Sequence, residues 1–149
     1  MKIIVKEHYR LDDSIGYKLF HASRLMNNRL NQNFRQNNFS ITYEQWQVLS
    51  RLFEEDGQTQ NQIAINIERD QASISRLIDN MIKNELVKRV PNENDRRIKH
   101  IYLTEESIEL KDKLNELALK TISQATEKIN EEDLETCLRI LDQIRENLK

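Results

Sequence analysis

Between Asp70 and Ser107 the chain reads DQASISRLIDNMIKNELVKRVPNENDRRIKHIYLTEES, and its hydrophobic period changes from helical to extended and back within that one stretch. Ile74, Leu77, Ile78, Met81 and Ile82 recur at three- and four-residue intervals, which gathers them on one side of a helix and turns Arg76 to the other. LVKRV is then rich in β-branched residues, PNEND has turn chemistry, and RIKHIYLT is again β-prone. Thr104 followed by two glutamates opens a further helix. Helix, strand, charged turn and strand in this order outline a winged helix. A cationic turn beside an exposed helix face suits a DNA groove.

Capping residues divide the rest. Asp12 or Asp13 is expected to cap a first helix carrying Ile15, Leu19, Ala22, Met26 and Leu30 on one stripe and fraying in the Asn-rich stretch that ends at Asn38. Thr42 with Gln45 makes a capping box, and Ile41 with Trp46 has the spacing of a hydrophobic staple. Thr59 with Gln62 repeats the box, and Asp70 caps the next helix. The interval between these last two caps holds one short helix and a turn, which is the dimension of a helix-turn-helix. From Glu105, Leu110, Leu114, Leu117, Ala118, Ile122, Ala125 and Ile129 mark a long helix. Asn130 restarts the chain as a last helix with Leu134, Cys137, Leu138, Leu141, Ile144 and Leu148 on one stripe.

A mainly α fold is therefore expected, a winged helix-turn-helix with a small β-hairpin wing, in one domain spanning 1–149. Residues 42–104 would form the DNA-binding region. A winged helix cannot cover three further amphipathic helices, so segments 12–38 and 105–149 are expected to cover one another across a two-fold axis as dimerisation helices.

The net charge of −2 looks unsuited to a DNA binder until it is divided along the chain. Residues 86–100 carry five Lys/Arg against two Asp/Glu, whereas residues 105–149 carry seven against twelve. A basic reading head on an acidic body can approach phosphates with one face, because exposed charges more than about 10 Å apart are largely screened. Charge alone is equally compatible with an ordinary soluble face.

Other chemistry is thin. No apolar run approaches membrane-spanning length, and Ile3-Ile4-Val5 is too short for a signal-peptide core, so a cytoplasmic protein is expected. The single cysteine, Cys137, excludes an intrachain disulfide and sits on an apolar stripe where burial and inertness are expected. His8, His21 and His100 lack partners at ligand spacing, so no metal site is expected. No phosphate-binding glycine loop, nucleophile elbow or catalytic carboxylate pair can be placed, and neither an enzyme nor a cofactor is expected.

The run ENDRRIKHIYLTEES resembles the wing of the multiple antibiotic resistance regulator (MarR) family, in which a D-R-R type turn precedes a strand ending in Leu-Thr and a long helix. TYEQWQVLSRLFEEDG, TQNQIAINI and SISRLIDNMIKNELVKR follow the family's order of helices, so the resemblance covers nearly the whole chain. It implies a homodimer with intertwined terminal helices and two lateral winged helices. It also implies that Arg97 lies in or near a minor groove and that Asp95 orients wing arginines through a salt bridge. Arg96 is expected on phosphate. The chain departs from the family pattern at Asn92 and Asn94, and at Glu85, where the family usually has a glycine. A non-glycine there must accept or avoid the left-handed conformation.

Gln71, Ala72, Ser73, Ser75 and Arg76 occupy the first turns of the groove-entering helix. Arg76 suits two acceptors on guanine, Gln71 suits adenine, and Ala72 offers a methyl-sized contact to thymine. Ser73 and Ser75 serve equally as phosphate contacts or as a solvated turn. Many family members leave DNA when a small aromatic or anionic effector enters a cleft, and Tyr17, His21 and Trp46 are candidates to line one, with core packing the competing role. The expected function is a sequence-specific regulator of double-stranded DNA, a dimeric repressor on a near-palindromic operator, released by a small molecule. The alternatives are a winged helix used for protein contacts and a thiol-based redox sensor acting through Cys137.

Overall fold

The computed structural model describes residues 8–149, which leaves the Ile3-Ile4-Val5 run outside the described residues. Six helices and one hairpin follow in order: α1 (Ile15–Gln36), α2 (Tyr43–Glu54), α3 (Gln60–Asn66), α4 (Gln71–Lys83), β1 (Val87–Pro91), β2 (Lys99–Leu103), α5 (Glu105–Ala125) and α6 (Glu131–Leu148). This is the mainly helical winged-helix architecture the sequence implies. No helix among the described residues is long and apolar enough to cross a membrane.

Local chemistry sets most of these boundaries. Thr42 and Thr59 each accept the N3 backbone N–H on the side-chain oxygen and donate their own backbone N–H to the Gln45 or Gln62 side-chain oxygen, which completes two capping boxes. Asp70, Thr104 and Asn130 cap α4, α5 and α6 in the same single-bond manner. The first helix differs from expectation. Asp12 and Asp13 belong to a 3-10 turn over Leu11–Asp13, and Ser14 caps α1 instead, so the helix starts at Ile15 and ends at Gln36, inside the 12–38 span.

With two glycines in the chain, helices stop on other residues. Asn38, Glu68, Glu85 and Lys128 all adopt positive φ, between 56° and 67°. After α4, Leu86 N–H donates to the Met81 carbonyl and Glu85 N–H to that of Ile82, the bond pair of a Schellman stop. Glu85 thus accepts the left-handed conformation, at an energetic cost that glycine would avoid.

The core lies beneath the winged helix. Phe34 of α1, Val48, Leu49 and Leu52 of α2, Ile63 of α3, Ile74, Ile78 and Met81 of α4, Val87 of β1, Ile101 of β2 and Leu114 of α5 are all fully or almost fully buried. The stripe predicted for α4 therefore faces inward. β1 and β2 pair antiparallel with Val87 opposite Leu103 and Pro91 opposite Lys99, so Pro91 closes the strand rather than beginning the turn. Thr59 bridges to His100, and the Ile101 N–H donates to the Gln58 carbonyl, which adds a third edge to the hairpin.

Asn33 joins α1 to α5. Its buried amide donates to Thr121 Oγ1 at 2.8 Å, and the Thr121 hydroxyl passes a bond to the Leu117 carbonyl. The apolar stripes of α1 and α6 find far less cover. Of the five α1 stripe residues only Leu30 is buried, and α6 has no buried residue at all. Cys137 is exposed, contrary to the burial its stripe suggests, because no element among the described residues lies over it. It opens on an apolar groove of about 440 Å³ lined in part by Ile15, Leu19, Ala22, Ile140 and Leu141.

Candidate nucleic-acid interface

The first turns of α4 and the wing turn stand at one face. Residues of both, Gln71 from α4 and Arg97 from the turn, line one surface pocket together with Thr59 at the cap of α3, Gln60 and Asn61 of α3, and Ile98 and Lys99 where the turn meets β2. Burial of Ile74 and Ile78 fixes the rotation of α4, and this leaves Gln71, Ala72 and Arg76 exposed. Ser73 and Ser75 are half-buried. The Ser73 hydroxyl accepts from Arg69 Nη2 at 2.6 Å and from Nε at 3.0 Å, so an internal partner already occupies it. Gln71 donates to Asn61 of α3, which steadies its amide across the helix-turn-helix.

The wing turn is built on its own hydrogen bonds. The Asn92 side-chain oxygen accepts the Asn94 N–H at 2.8 Å and the Asp95 N–H at 3.1 Å. Asp95 Oδ1 accepts the Arg97 N–H, and the Arg97 guanidinium grips both carboxylate oxygens. That side-chain pairing, reinforced by the backbone bond, holds the Asp95 carboxyl below the usual carboxylate range. Arg97 nonetheless stays 90% exposed, so its charge points away from the protein with its orientation set. Arg96 is exposed beside it.

Arg89 is a further residue of this region that sequence reasoning does not select. From β1 its guanidinium reaches Asp79 of α4 at 2.8 Å and Gln60 of α3 at 3.1 Å, while its second terminal nitrogen is buried without a partner. One side chain thereby ties the hairpin to both helices of the helix-turn-helix. Its position ten residues after Asp79 belongs to no helical or strand period, so spacing alone carries no sign of it.

The candidate effector residues separate. Trp46 lines a cavity of about 330 Å³ with Met26, Leu30, Tyr43, Ala118 and Ile122, between α1, α2 and α5. Tyr17 and His21 lie nearer the start of α1, packed on one another at a tilt of 54° with ring centroids 4.3 Å apart, and do not line that cavity. Trp46 itself packs against Phe34 and Phe53 and so also serves the core. Among the described residues no cluster of three or more His, Cys, Asp or Glu side chains could hold a metal ion.

The MarR family model matches residues 41–99, from the start of α2 through the wing turn. Over 140 residues the chain is 24% identical to the HTH-type transcriptional regulator MgrA of Staphylococcus aureus, covering 94% of this chain and 93% of that protein. Among solved structures, the S. aureus MepR–DNA complex is similar at a TM-score of 0.82 and 27% identity, over 91% of this chain and 98% of the other. A probable transcriptional regulator from Pseudomonas aeruginosa is similar at a TM-score of 0.81 and 26% identity, over 91% and 99%. The relatives and the shared fold are those of transcriptional regulators and not of enzymes.

Proposed function

We propose, from a winged-helix segment that matches the MarR family model, that this chain is a sequence-specific regulator of double-stranded DNA that works as a homodimer and represses transcription. The observation that carries this reading is that the start of α4 and the wing turn share a face, Gln71 and Arg97 lining one pocket, with Arg76 exposed on the same helix. One guanidinium rises from the groove-entering end of α4, and the other is presented 90% exposed by the Asp95 clamp. A helix of this kind enters the major groove while the wing follows the backbone and the neighbouring minor groove. The similarity to a regulator solved on DNA supports the same assignment. Gln71 and Ala72 join Arg76 in base contact, Arg96 takes phosphate, Ser75 contributes a backbone contact, and Ser73, whose oxygen accepts from Arg69, has its own hydroxyl proton to donate to another.

Dimerisation through the terminal helices follows from their bare apolar faces. Leu25, Leu119, Ile122, Leu138 and Ile140 are all at least 45% exposed, and a second copy is the partner that can bury them symmetrically. Release by a small aromatic or anionic effector is assigned to the cavity beside Trp46. Its walls come from α1 and α5 on one side and α2 of the reading head on the other, so an occupant changes the spacing of the two heads. A gel-shift titration on the DNA upstream of the protein's own gene, with competitor duplex present, tests the reading. A footprint with two-fold symmetry is expected. Equal affinity for upstream and random duplex would remove sequence specificity from the proposal.

A further inference from the structure

His100 of β2 stands between the loop before α3 and the wing turn, and both of its ring nitrogens are engaged. Nδ1 is 2.9 Å from the Gly57 carbonyl oxygen, and Nε2 is 3.0 Å from the Asn92 side-chain nitrogen. A carbonyl can only accept, so Nδ1 carries the proton. The orientation of the Asn92 amide is set by the turn, since its oxygen already accepts the N–H groups of Asn94 and Asp95. Its nitrogen must therefore face the ring, and Nε2 must accept. The two constraints agree on one species, the neutral Nδ1–H imidazole. The chain of bonds continues from Asn92 through the Asp95 backbone to the Arg97 guanidinium.

We propose that His100 is a positioning residue for the wing, a latch that holds the turn carrying Asp95 and Arg97 while its ring is neutral and lets go when the ring takes a second proton. Protonated Nε2 would set an N–H against the Asn92 N–H₂. Relief requires Asn92 to rotate, surrendering the bonds to Asn94 and Asp95, or the ring to leave Gly57. No local rearrangement keeps all four bonds. The charged and titratable groups joined to the ring by neighbouring backbone or by bonds are Asp56 beside Gly57, Lys99 beside His100 in β2, Asp95 and Arg97 beyond Asn92, and Tyr102, whose ring centroid lies 6.5 Å away. Asp56 is committed to the N–H groups of Gly57 and Leu103. Asp95, held below the usual carboxylate range by Arg97, keeps its charge and its grip on the guanidinium in mild acid. Only the consequence for DNA rests on the function proposed above; the latch itself does not.

The full chain labelled with ¹⁵N tests the latch by long-range imidazole correlation spectra across a pH titration. The Nδ1–H tautomer is expected near neutral pH, with the Asn94 and Asp95 amides and the Arg97 Nε–H moving in step with the ring on acidification. His100→Gln keeps one donor and one acceptor without titrating, so those wing responses should vanish while the hairpin amides stay in place. Asn92→Asp supplies an acceptor for a protonated Nε2, so acid should tighten the turn in that variant. An Nε2–H tautomer, or wing responses that persist unchanged in His100→Gln, would overturn the proposal. On a random-sequence duplex at constant salt, the affinity ratio between about pH 7.5 and about pH 5.5 should be about threefold or more larger for wild type than for His100→Gln. Coupled wing resonances with identical affinity ratios would keep the latch and remove the wing from the DNA interface.

Discussion

The Arg97 guanidinium chelates the carboxylate of Asp95 two residues before it, with Nε and Nη2 each 3.0 Å from an oxygen. The pair fixes direction while burying neither charge. An arginine already ordered loses less side-chain entropy on meeting phosphate or a groove edge than a free one would.

Arg76 and Arg97 should therefore fail differently. Arg76→Ala is expected to weaken a specific site by about 1–3 kcal/mol and to relax base preference at one position per half-site. Arg97→Ala should weaken specific and random duplex together and flatten the salt dependence by about one unit of log–log slope for each phosphate no longer neutralised. Titrations at several salt concentrations separate the two, and unchanged affinities in both variants would remove this face from the DNA interface.

The Asp95 clamp has a defined pH window. Its folded carboxyl titrates below the ordinary carboxylate value, so its contribution is present above that value and is lost as pH falls through the lowered one. The Arg97 Nε–H resonance should show the clamp intact at mildly acidic pH in His100→Gln and lost only in stronger acid. Loss in the range where free carboxylates protonate would contradict the shift.

Arg89 should couple to Asp79. Because the pair is partly exposed, a double-mutant cycle with alanine at both positions is expected to give a coupling of about 0.5–1 kcal/mol in chemical denaturation. A coupling indistinguishable from zero would make the ion pair incidental.

Glu85→Gly should stabilise the fold by about 0.5–1 kcal/mol, by removing a left-handed non-glycine from the α4 stop. The urea midpoint reads it. A lowered midpoint would mean that the Glu85 side chain contributes more than its backbone strain costs.

Leu138→Glu should reduce the proposed dimer in sedimentation while each chain stays folded, since Leu138 is 54% exposed within its own chain. Leu117→Glu cannot serve the same purpose: Leu117 is 3% exposed, and a carboxylate there is expected to unfold the chain. Alkylation of Cys137 gives an independent reading, slow at micromolar concentration and faster on dilution if a second copy covers the groove. Concentration-independent labelling would place Cys137 outside the interface.

What the sequence makes legible is local or periodic. The caps at Thr42, Thr59, Asp70, Thr104 and Asn130 depend on atoms within four residues, and the α4 stripe declares its buried face by spacing alone. Ser14 is hidden behind Asp12 and Asp13, which are equally good caps, and only the 3-10 turn decides between them. Cys137 misleads because a stripe announces that something should cover it without saying whether the same chain supplies the cover. Arg89 and His100 lie beyond pattern altogether. Their partners, Gln60 and Asp79 for one and Gly57 and Asn92 for the other, meet only once the hairpin has formed and packed against α3, α4 and the loop before α3.

The last helix carries one more consequence. α6 has 18 residues and no buried side chain, and its Arg145 holds Glu68 through an exposed ion pair. A helix of that length with little tertiary support is marginal in water. Low burial is the property of segments that open at low free energy, so α6 is expected to exchange its amides early when the chain is alone. In the proposed dimer a second copy would cover this helix, so its cleavage by an added protease should slow as the protein concentration rises.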